Sequence, residues 1–311
     1  MDAVSGGAPD DPPPGRSVMK PAPFKYLAPD SVDESVALIT EYGDDAKILA
    51  GGQSLVPMQN LRLARPGVII DINGIRSLDY VTIAGDTLAV GALARHETVA
   101  NAAVEGPLGA LLADVGGRVG HLPIRLRGTF CGSLAHADPA AEWCSVLTAL
   151  DGTVVAQGAG GRREVPASEF FQTTFTTALM PDELIVEARL PILGPEWLQG
   201  SSHVSLRAGD FSIVLVVVAV RIADDVISEA RIALGGVADR PVRVHDAEDS
   251  LRGVAPAQDR FQEAGKIAAA TVDPLGDLRG TAEFRRHLTS VLIERALTTA
   301  VDGGSGARGI R

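Results

Sequence analysis

Two glycine-centred segments carry the residue types best suited to chemistry. The first, Leu49-Ala-Gly-Gly-Gln-Ser-Leu55, follows directly on a β-like run, Lys47–Ala50. Paired glycines let a backbone approach a ligand without Cβ obstruction, and successive N–H groups in such a turn form an anion-binding nest. Ser54 adds a hydroxyl donor and stands where the next short helix would start. The second segment is Arg127-Gly-Thr-Phe-Cys-Gly-Ser-Leu-Ala-His-Ala-Asp-Pro-Ala-Ala-Glu142. It offers the same chemistry through Gly132 and the Thr129 and Ser133 hydroxyls, followed by an acidic, Pro-punctuated turn. Two such segments from distant parts of the chain could clasp a diphosphate from both sides. Taken singly, each reads equally as a tight turn after a strand.

Other chemistries find less support. A literal GxGxxG occurs at Gly304-Ser-Gly306-Ala-Arg-Gly309, but no strand precedes it and only two residues follow, so no helix can receive a pyrophosphate there. GxxxxGK[ST] and HExxH are absent. Cys131 and Cys144, with no second CxxC-type pair, do not make an iron–sulfur or structural zinc site of this chain's own. Cys131 itself has two readings: a catalytic thiol, or a small buried filler in a turn.

The elements that must position these segments come from a chain of 311 residues, enough for about two domains. Its 28 basic and 39 acidic residues give a net charge of −11, which disfavours nucleic-acid backbones and anionic lipid surfaces. The longest apolar run, Ile213–Val220, is too short to span a bilayer as a helix, and no basic end followed by an apolar stretch opens the chain. The expectation is a protein of the cytoplasm.

Residues 1–23 are rich in Pro, Gly and Asp and are expected to be a flexible segment, as is the tail 301–311. Ser31-Val-Asp-Glu34 reads as a capping box opening a helix whose Val32, Val36 and Ile39 share a face, with Gly43 at its end. Strands are expected at Val68–Ile72, between Ser77 and Val90, and at Thr153–Ala156, Glu164–Pro166 and Leu184–Leu190. Helical stretches begin at Arg95 and cover Pro107–Val119, leading into a polar loop, Gly120–Gly128. Pro191–Gly200 looks like a linker. Beyond it Ser212–Ile222 and Val226–Leu234 form a hairpin joined through Ala223-Asp-Asp225, and the remainder is mostly helical. The reading is an α+β protein divided near residue 195: a binding domain over 24–195, with subdomains 24–76 and 77–195, and a C-terminal domain over 196–300.

The two glycine segments resemble the AGGxSL and RGT(I/V)xGS(L/I)AHADPAAE patterns of the flavin-binding medium subunit of the molybdenum hydroxylases, the xanthine dehydrogenase and carbon monoxide dehydrogenase type. The resemblance continues through Arg207-Ala-Gly-Asp-Phe211, Leu234-Gly-Gly-Val-Ala-Asp-Arg-Pro-Val-Arg243 and Asp277-Leu-Arg-Gly-Thr-Ala-Glu-Phe-Arg-Arg-His-Leu288, in the family's order. It implies the two-part FAD-binding fold of vanillyl-alcohol oxidase-like flavoproteins, followed by a smaller α+β domain. It further implies that Ala50, Gly51, Gly52, Gln53, Ser54 and Leu55 line the FAD pyrophosphate from one side, and Thr129, Gly132 and Ser133 from the other. Ala137, Asp138 and Glu142 fall where the family approaches the ribityl and ribose portions. Val119 and Ile185 are assigned to apolar walls for the rings, ordinary core positions being the alternative. Arg207 to Asp210 would position the C-terminal domain, although Arg207 could reach the flavin, and Asp71 would cap a turn after its strand.

By the same resemblance, a large subunit carries a molybdenum–pterin cofactor and a small subunit carries two [2Fe–2S] clusters that pass electrons to this chain's FAD, in a dimer of three-subunit units. That explains why no acid–base constellation is present: the chemistry belongs to the cofactor. The rival readings are a self-contained flavin oxidase or reductase, and an adaptor subunit that has lost FAD. Departures from the family pattern fall at Cys131, where many relatives have Gly, at Leu126, where many have Asn, and at Trp143-Cys144, where many have Leu-Pro or Trp-Pro.

Overall fold

A three-stranded parallel sheet opens the computed structural model, which describes residues 19–303. The GxGxxG match and most of the two terminal segments therefore lie outside the described residues. The first lobe runs β1 (Lys25–Leu27), α1 (Val32–Tyr42), β2 (Ala46–Leu49), α2 (Leu55–Asn60) and β3 (Val68–Asp71), with sheet order β1-β3-β2. Ser31 caps α1 as expected, its Oγ accepting from the Glu34 N–H at 3.1 Å. The Glu34 carboxylate reaches one residue further back than a capping box requires and accepts from the Asp30 N–H. Val36 and Ile39 are buried, and Gly43 ends the helix at φ +52°. Leu49 lies opposite Asp71 in the parallel register, so the segment after β2 and the turn after β3 emerge side by side. Carboxyl ends of parallel strands are where open α/β sheets present ligand sites.

The second lobe contains β4 (Val81–Ala84), β5 (Thr87–Gly91), α3 (His96–Ala100), α4 (Gly106–Gly116), α5 (Leu122–Arg125), α6 (Phe130–His136), α7 (Glu142–Ala149), β6 (Thr153–Gly158), β7 (Gly161–Pro166), α8 (Ala167–Phe170), β8 (Phe171–Thr173), β9 (Thr176–Thr177) and β10 (Leu184–Pro191). Its five-stranded sheet has the order β4-β5-β10-β6-β7 and is antiparallel throughout. Trp143, Phe130, Phe170 and Leu108, Leu111 and Leu112 form its core. Two expectations are corrected here. The loop Gly120–Gly128 contains the helical turn α5, with Pro123 at its start, where a missing N–H costs nothing. The second glycine segment is no tight turn after a strand; it runs from the Thr129 cap through the whole of α6 to the first residue of α7.

The C-terminal domain consists of β11 (Trp197–Val204), β12 (Val214–Ala223), β13 (Val226–Gly235), β14 (Val242–Arg243), α9 (His245–Leu251), α10 (Gln258–Thr271) and α11 (Ala282–Val301), with an antiparallel sheet in sequential order. The hairpin turn holds Asp224 and Asp225 at φ 53° and 61°, both left-handed, as a two-residue turn matched to strand twist requires. The expected linker Pro191–Gly200 is taken up by strands at both ends: Pro191 closes β10, and Trp197 opens β11, its ring buried and the Arg231 guanidinium stacked on it at 4.6 Å. β12 is covered on both faces. Leu215, Val217 and Ala219 join the core of the second lobe, while Val214, Val216, Val218 and Val220 pack with Phe261 of α10 and Leu292, Ile293 and Ala296 of α11. Two buried faces leave no polar alternation, hence the unbroken apolar run. Gly200 brings α11 close to β11: a Cβ there would stand 2.3 Å from the Ala296 carbonyl oxygen.

Candidate functional site

The two glycine segments meet backbone to backbone. A Cβ at Gly51 would stand 2.4 Å from the Arg127 carbonyl oxygen and 2.5 Å from the Gly128 Cα, so only glycine permits this approach. Gly52 takes φ +72°, the left-handed region that L side chains rarely adopt, and its carbonyl accepts from the Val56 N–H to start α2. Among the described residues, no backbone acceptor takes the N–H groups of Gly51, Gly52, Gln53 or Ser54. Ser54 flanks α2 but its hydroxyl caps nothing, which leaves it available to a ligand. Gln53 donates from Nε2 to the Gly51 carbonyl at 3.2 Å. Ala50 and Leu55 border this run, both half-buried. The donor set is backbone N–H and hydroxyl with no carboxylate among them, which suits a diphosphate.

On the opposite side Thr129 begins α6, its Oγ1 accepting from the Gly132 N–H at 3.0 Å. A Cβ at Gly132 would stand 2.5 Å from that oxygen. Ser133 is half-buried, and its side chain is not engaged with other described residues. Ala137 closes α6 in the left-handed conformation, φ 51°, and is buried. Asp138 accepts the Ala140 N–H at 2.9 Å in a turn that leads into α7. Glu142, the first residue of α7, is 4% exposed and makes no ion pair among the described residues. Burial pushes its carboxyl up to about 7, aided by the nearby Asp138 and opposed by its own backbone N–H and by Arg118. Near neutrality it is divided between the charged and neutral forms, and the neutral form donates a hydrogen bond as well as accepting one.

Val119 and Ile185 are packed in the core at 8% and 5% exposure. Cys131 is the filler of the two readings offered for it. Its Sγ lies over the Val90 and Gly91 carbonyls at 3.6 and 3.8 Å, and burial drives the thiol far above its ordinary value, so it supplies no thiolate. Cys144 is likewise buried against the Ser133 carbonyl. No group of three metal-ligating side chains occurs among the described residues. A cavity of about 650 Å³ beside β4, lined by Asp79, Tyr80, Ile83, Thr98 and Asn101, lies apart from both glycine segments.

Sequence reasoning missed Asn73, Arg95 and His96. Asp71 does cap the turn after β3, accepting from the Asn73 N–H at 2.9 Å. Asn73 and Arg95 then connect the two glycine segments through their carbonyls. His96 is buried beneath Gly128, where a Cβ would stand 2.5 Å from its Nε2. Trp143 Nε1–H donates to His96 Nδ1 at 2.9 Å, which places the single ring proton of the neutral form on Nε2. Burial and the nearby Arg95 push this histidine down to about 4. The one local signal is Asn73-Gly74, a turn dipeptide.

Two of the three C-terminal segments of the resemblance, 234–243 and 277–288, meet through Arg285. Arg285 donates to the carbonyls of Ile213 and Gly236 at 2.5 and 2.7 Å and pairs with Asp277 at 2.8 Å. The Gly236 N–H donates to the Pro139 carbonyl at 2.9 Å, and Gly209 sits against the His121 ring. Of these contacts, Gly236 N–H to Pro139 and Gly209 against His121, the residue before α5, hold the C-terminal domain against the second lobe, while Arg207 and Asp210 are exposed. Arg118 adds a tie, donating to the Ser201 hydroxyl of β11 at 2.5 Å while paired with Asp114.

An α/β lobe and an antiparallel lobe that meet at two glycine segments, closed by a third domain, define a two-lobed α+β flavoprotein. The chain belongs to the FAD-binding medium subunits of the molybdenum hydroxylases. Residues 22–193 match the family described as the FAD binding domain in molybdopterin dehydrogenase, and residues 202–300 match the CO dehydrogenase flavoprotein C-terminal domain. The nicotine 6-hydroxylase medium subunit of Paenarthrobacter nicotinovorans is 36% identical over 282 residues, 91% of this chain and 99% of that one. The carbon monoxide dehydrogenase medium chain of Hydrogenophaga pseudoflava is 35% identical over 286 residues, 91% and 98% of the two chains. A solved structure of the dehydrogenase from that organism, lacking the Mo-pyranopterin moiety, superposes with a TM-score of 0.88 at 36% identity, covering 91% of this chain and 98% of that one. No helix among the described residues is long and apolar enough to cross a membrane.

Proposed function

We propose that this chain is the FAD-binding electron-transfer subunit of a molybdenum hydroxylase or dehydrogenase. It receives electrons from the [2Fe–2S] clusters of a small subunit, fed by a large molybdenum–pterin subunit, and delivers them to an external acceptor. The assembly is a dimer of heterotrimers in the cytoplasm. Residues 24–195, divided near 76, bind the cofactor, and 196–300 form the smaller domain. Bound FAD supplies conversion between one-electron and two-electron transfer. The chain's own residues bind and orient it. The free N–H groups of Gly51, Gly52 and Gln53 and the Ser54 hydroxyl donate to the diphosphate from one side, and Thr129, Gly132 and Ser133 face it from the other. Asp138 and Glu142 hydrogen-bond sugar hydroxyls, with Ala137 beside them. Ala50 and Leu55 shape the first turn, and Val119 and Ile185 limit the apolar end through the small face each leaves open.

The observation that carries this reading is the convergence at Gly51 of a run of unpaired N–H groups with the start of α6. The test is a visible spectrum of the natively purified full chain, with thermal release of any bound flavin. One non-covalent FAD per chain is expected, and Gly52→Asp, which adds a side chain at φ +72° and a negative charge beside the diphosphate, abolishes it. A colourless chain that refuses added FAD returns the adaptor reading. Normal flavin content in Gly52→Asp refutes the assignment of the first turn.

A further inference from the structure

We propose that Asn73 and Arg95 form a positioning relay that sets the separation and orientation of the two glycine segments, and through them the affinity for FAD. The inference rests on the FAD-binding reading and adds to it two residues that need not touch the cofactor.

The relay starts at Tyr26, whose hydroxyl donates to Asp71 Oδ2 at 2.6 Å. The other oxygen of Asp71 accepts from the Asn73 N–H at 2.9 Å and from its Nδ2 at 2.6 Å. These contacts fix which way the Asn73 amide faces. Nδ2 also donates to the Ala50 carbonyl at 2.7 Å, leaving Oδ1 to accept from one arm of Arg95 at 2.8 Å. The other arm of Arg95 donates to the Arg127 carbonyl at 2.6 Å. Two side chains thus connect the carbonyl just before Gly51 to the carbonyl just before Gly128, across the junction of the lobes.

A trans peptide points its C=O and N–H in opposite directions. Holding the Ala50 carbonyl on Asn73 therefore turns the Gly51 N–H away from Asn73, as the first donor of the unpaired run. The guanidinium spends its fork on neutral oxygens, and Arg95 makes no ion pair among the described residues. Its charge remains uncancelled by direct contact. A lysine cannot substitute, because a point donor on a flexible stem does not span two acceptors at fixed spacing.

The test uses the full chain stripped of flavin and titrated with FAD, alongside its thermal midpoint. Arg95→Ala is expected to raise the FAD Kd about 10- to 100-fold, the scale of losing charge-assisted hydrogen bonds that hold a site in register. Arg95→Lys recovers little, whereas millimolar guanidinium ion restores affinity to Arg95→Ala and gives nothing to Gly52→Asp. Asn73→Ala weakens binding similarly, and the double variant is scarcely worse than the weaker single one, because both act through one connection. Wild-type Kd in Arg95→Ala overturns the relay. So does a loss that follows the thermal midpoint without guanidinium rescue, or two single effects that simply add. A wild-type chain that takes up no FAD removes the functional reading itself, a separate result from intact binding in the variants.

Discussion

Gly51→Ala is the sharpest probe of the junction between the lobes. Gly51 does not lie in the positive-φ region, so the substitution acts through space alone. The new methyl would stand 2.4 Å from the Arg127 oxygen and 2.5 Å from the Gly128 Cα, whereas ordinary contact begins near 3.4 Å. Both obstacles are backbone and neither can rotate aside, so the segments must part by about 1 Å, beyond the roughly 0.5 Å a preorganised site tolerates. An N–H···O bond at about 2.8 Å stretched by that amount is no longer a hydrogen bond. Losing two such bonds to a charged group costs about 3 kcal/mol or more, equivalent to about 100-fold in Kd. The overpacking itself lowers stability by about 1–3 kcal/mol. FAD titration by quenching of flavin fluorescence, with a thermal melt of the apo chain, separates the two effects. Gly160→Ala is the control, since a Cβ there meets nothing within 4 Å. A Gly51→Ala chain that binds FAD within a few-fold of wild type would refute the reasoning.

Two further outcomes follow from buried groups and close contacts elsewhere. Glu142, pushed up from 4.5 to about 7, favours the protonated folded state, so its contribution is full below 4.5 and lost as pH rises to about 7. His96 and His203, pushed down from 6.5 to about 4, act in the opposite sense: their contribution is full above 6.5 and lost as pH falls towards 4. Glu142→Gln isolates the first effect: its apo stability relative to wild type should rise between pH 4.5 and 7 by on the order of 3 kcal/mol, and parallel melting curves across that range would sink it. Gly200→Ala should lower the thermal midpoint, because its methyl meets the Ala296 carbonyl and pushes α11 off β11, yet leave FAD affinity unchanged. Weakened FAD binding in that variant would show that the C-terminal domain reaches the cofactor.

What was legible in the sequence were features specified by near neighbours. Ser31 and Glu34 mark the start of α1, Asp224-Asp225 the hairpin, and Gly51-Gly52 a tight turn after β2. The resemblance added the pairing of that turn with the segment beginning at Arg127-Gly128, which no local rule supplies. The relay was invisible because Asn73, Arg95 and Arg127 are separated along the chain and their bonds depend on the docking of two lobes. α5 was lost in a stretch that reads as polar loop, since a single helical turn leaves almost no periodicity. The sequence around Trp197 reads as a linker because Pro and Gly surround it; its burial depends on Arg231 and on a core assembled from both domains. The shift of Glu142 is a property of its burial, and composition around position 142 gives no sign of it.

Separate sequence models meet the chain on either side of residues 194–201, which invites treating the two parts as independent modules. β12 says otherwise. Alternate residues of this one strand belong to two different hydrophobic cores, so neither core is complete without it. A cut in the connecting segment would leave the second lobe without Leu215, Val217 and Ala219 and would open the C-terminal sheet on the face they form. The boundary separates units of inheritance, while melting ignores it: heat should take both cores in one cooperative transition.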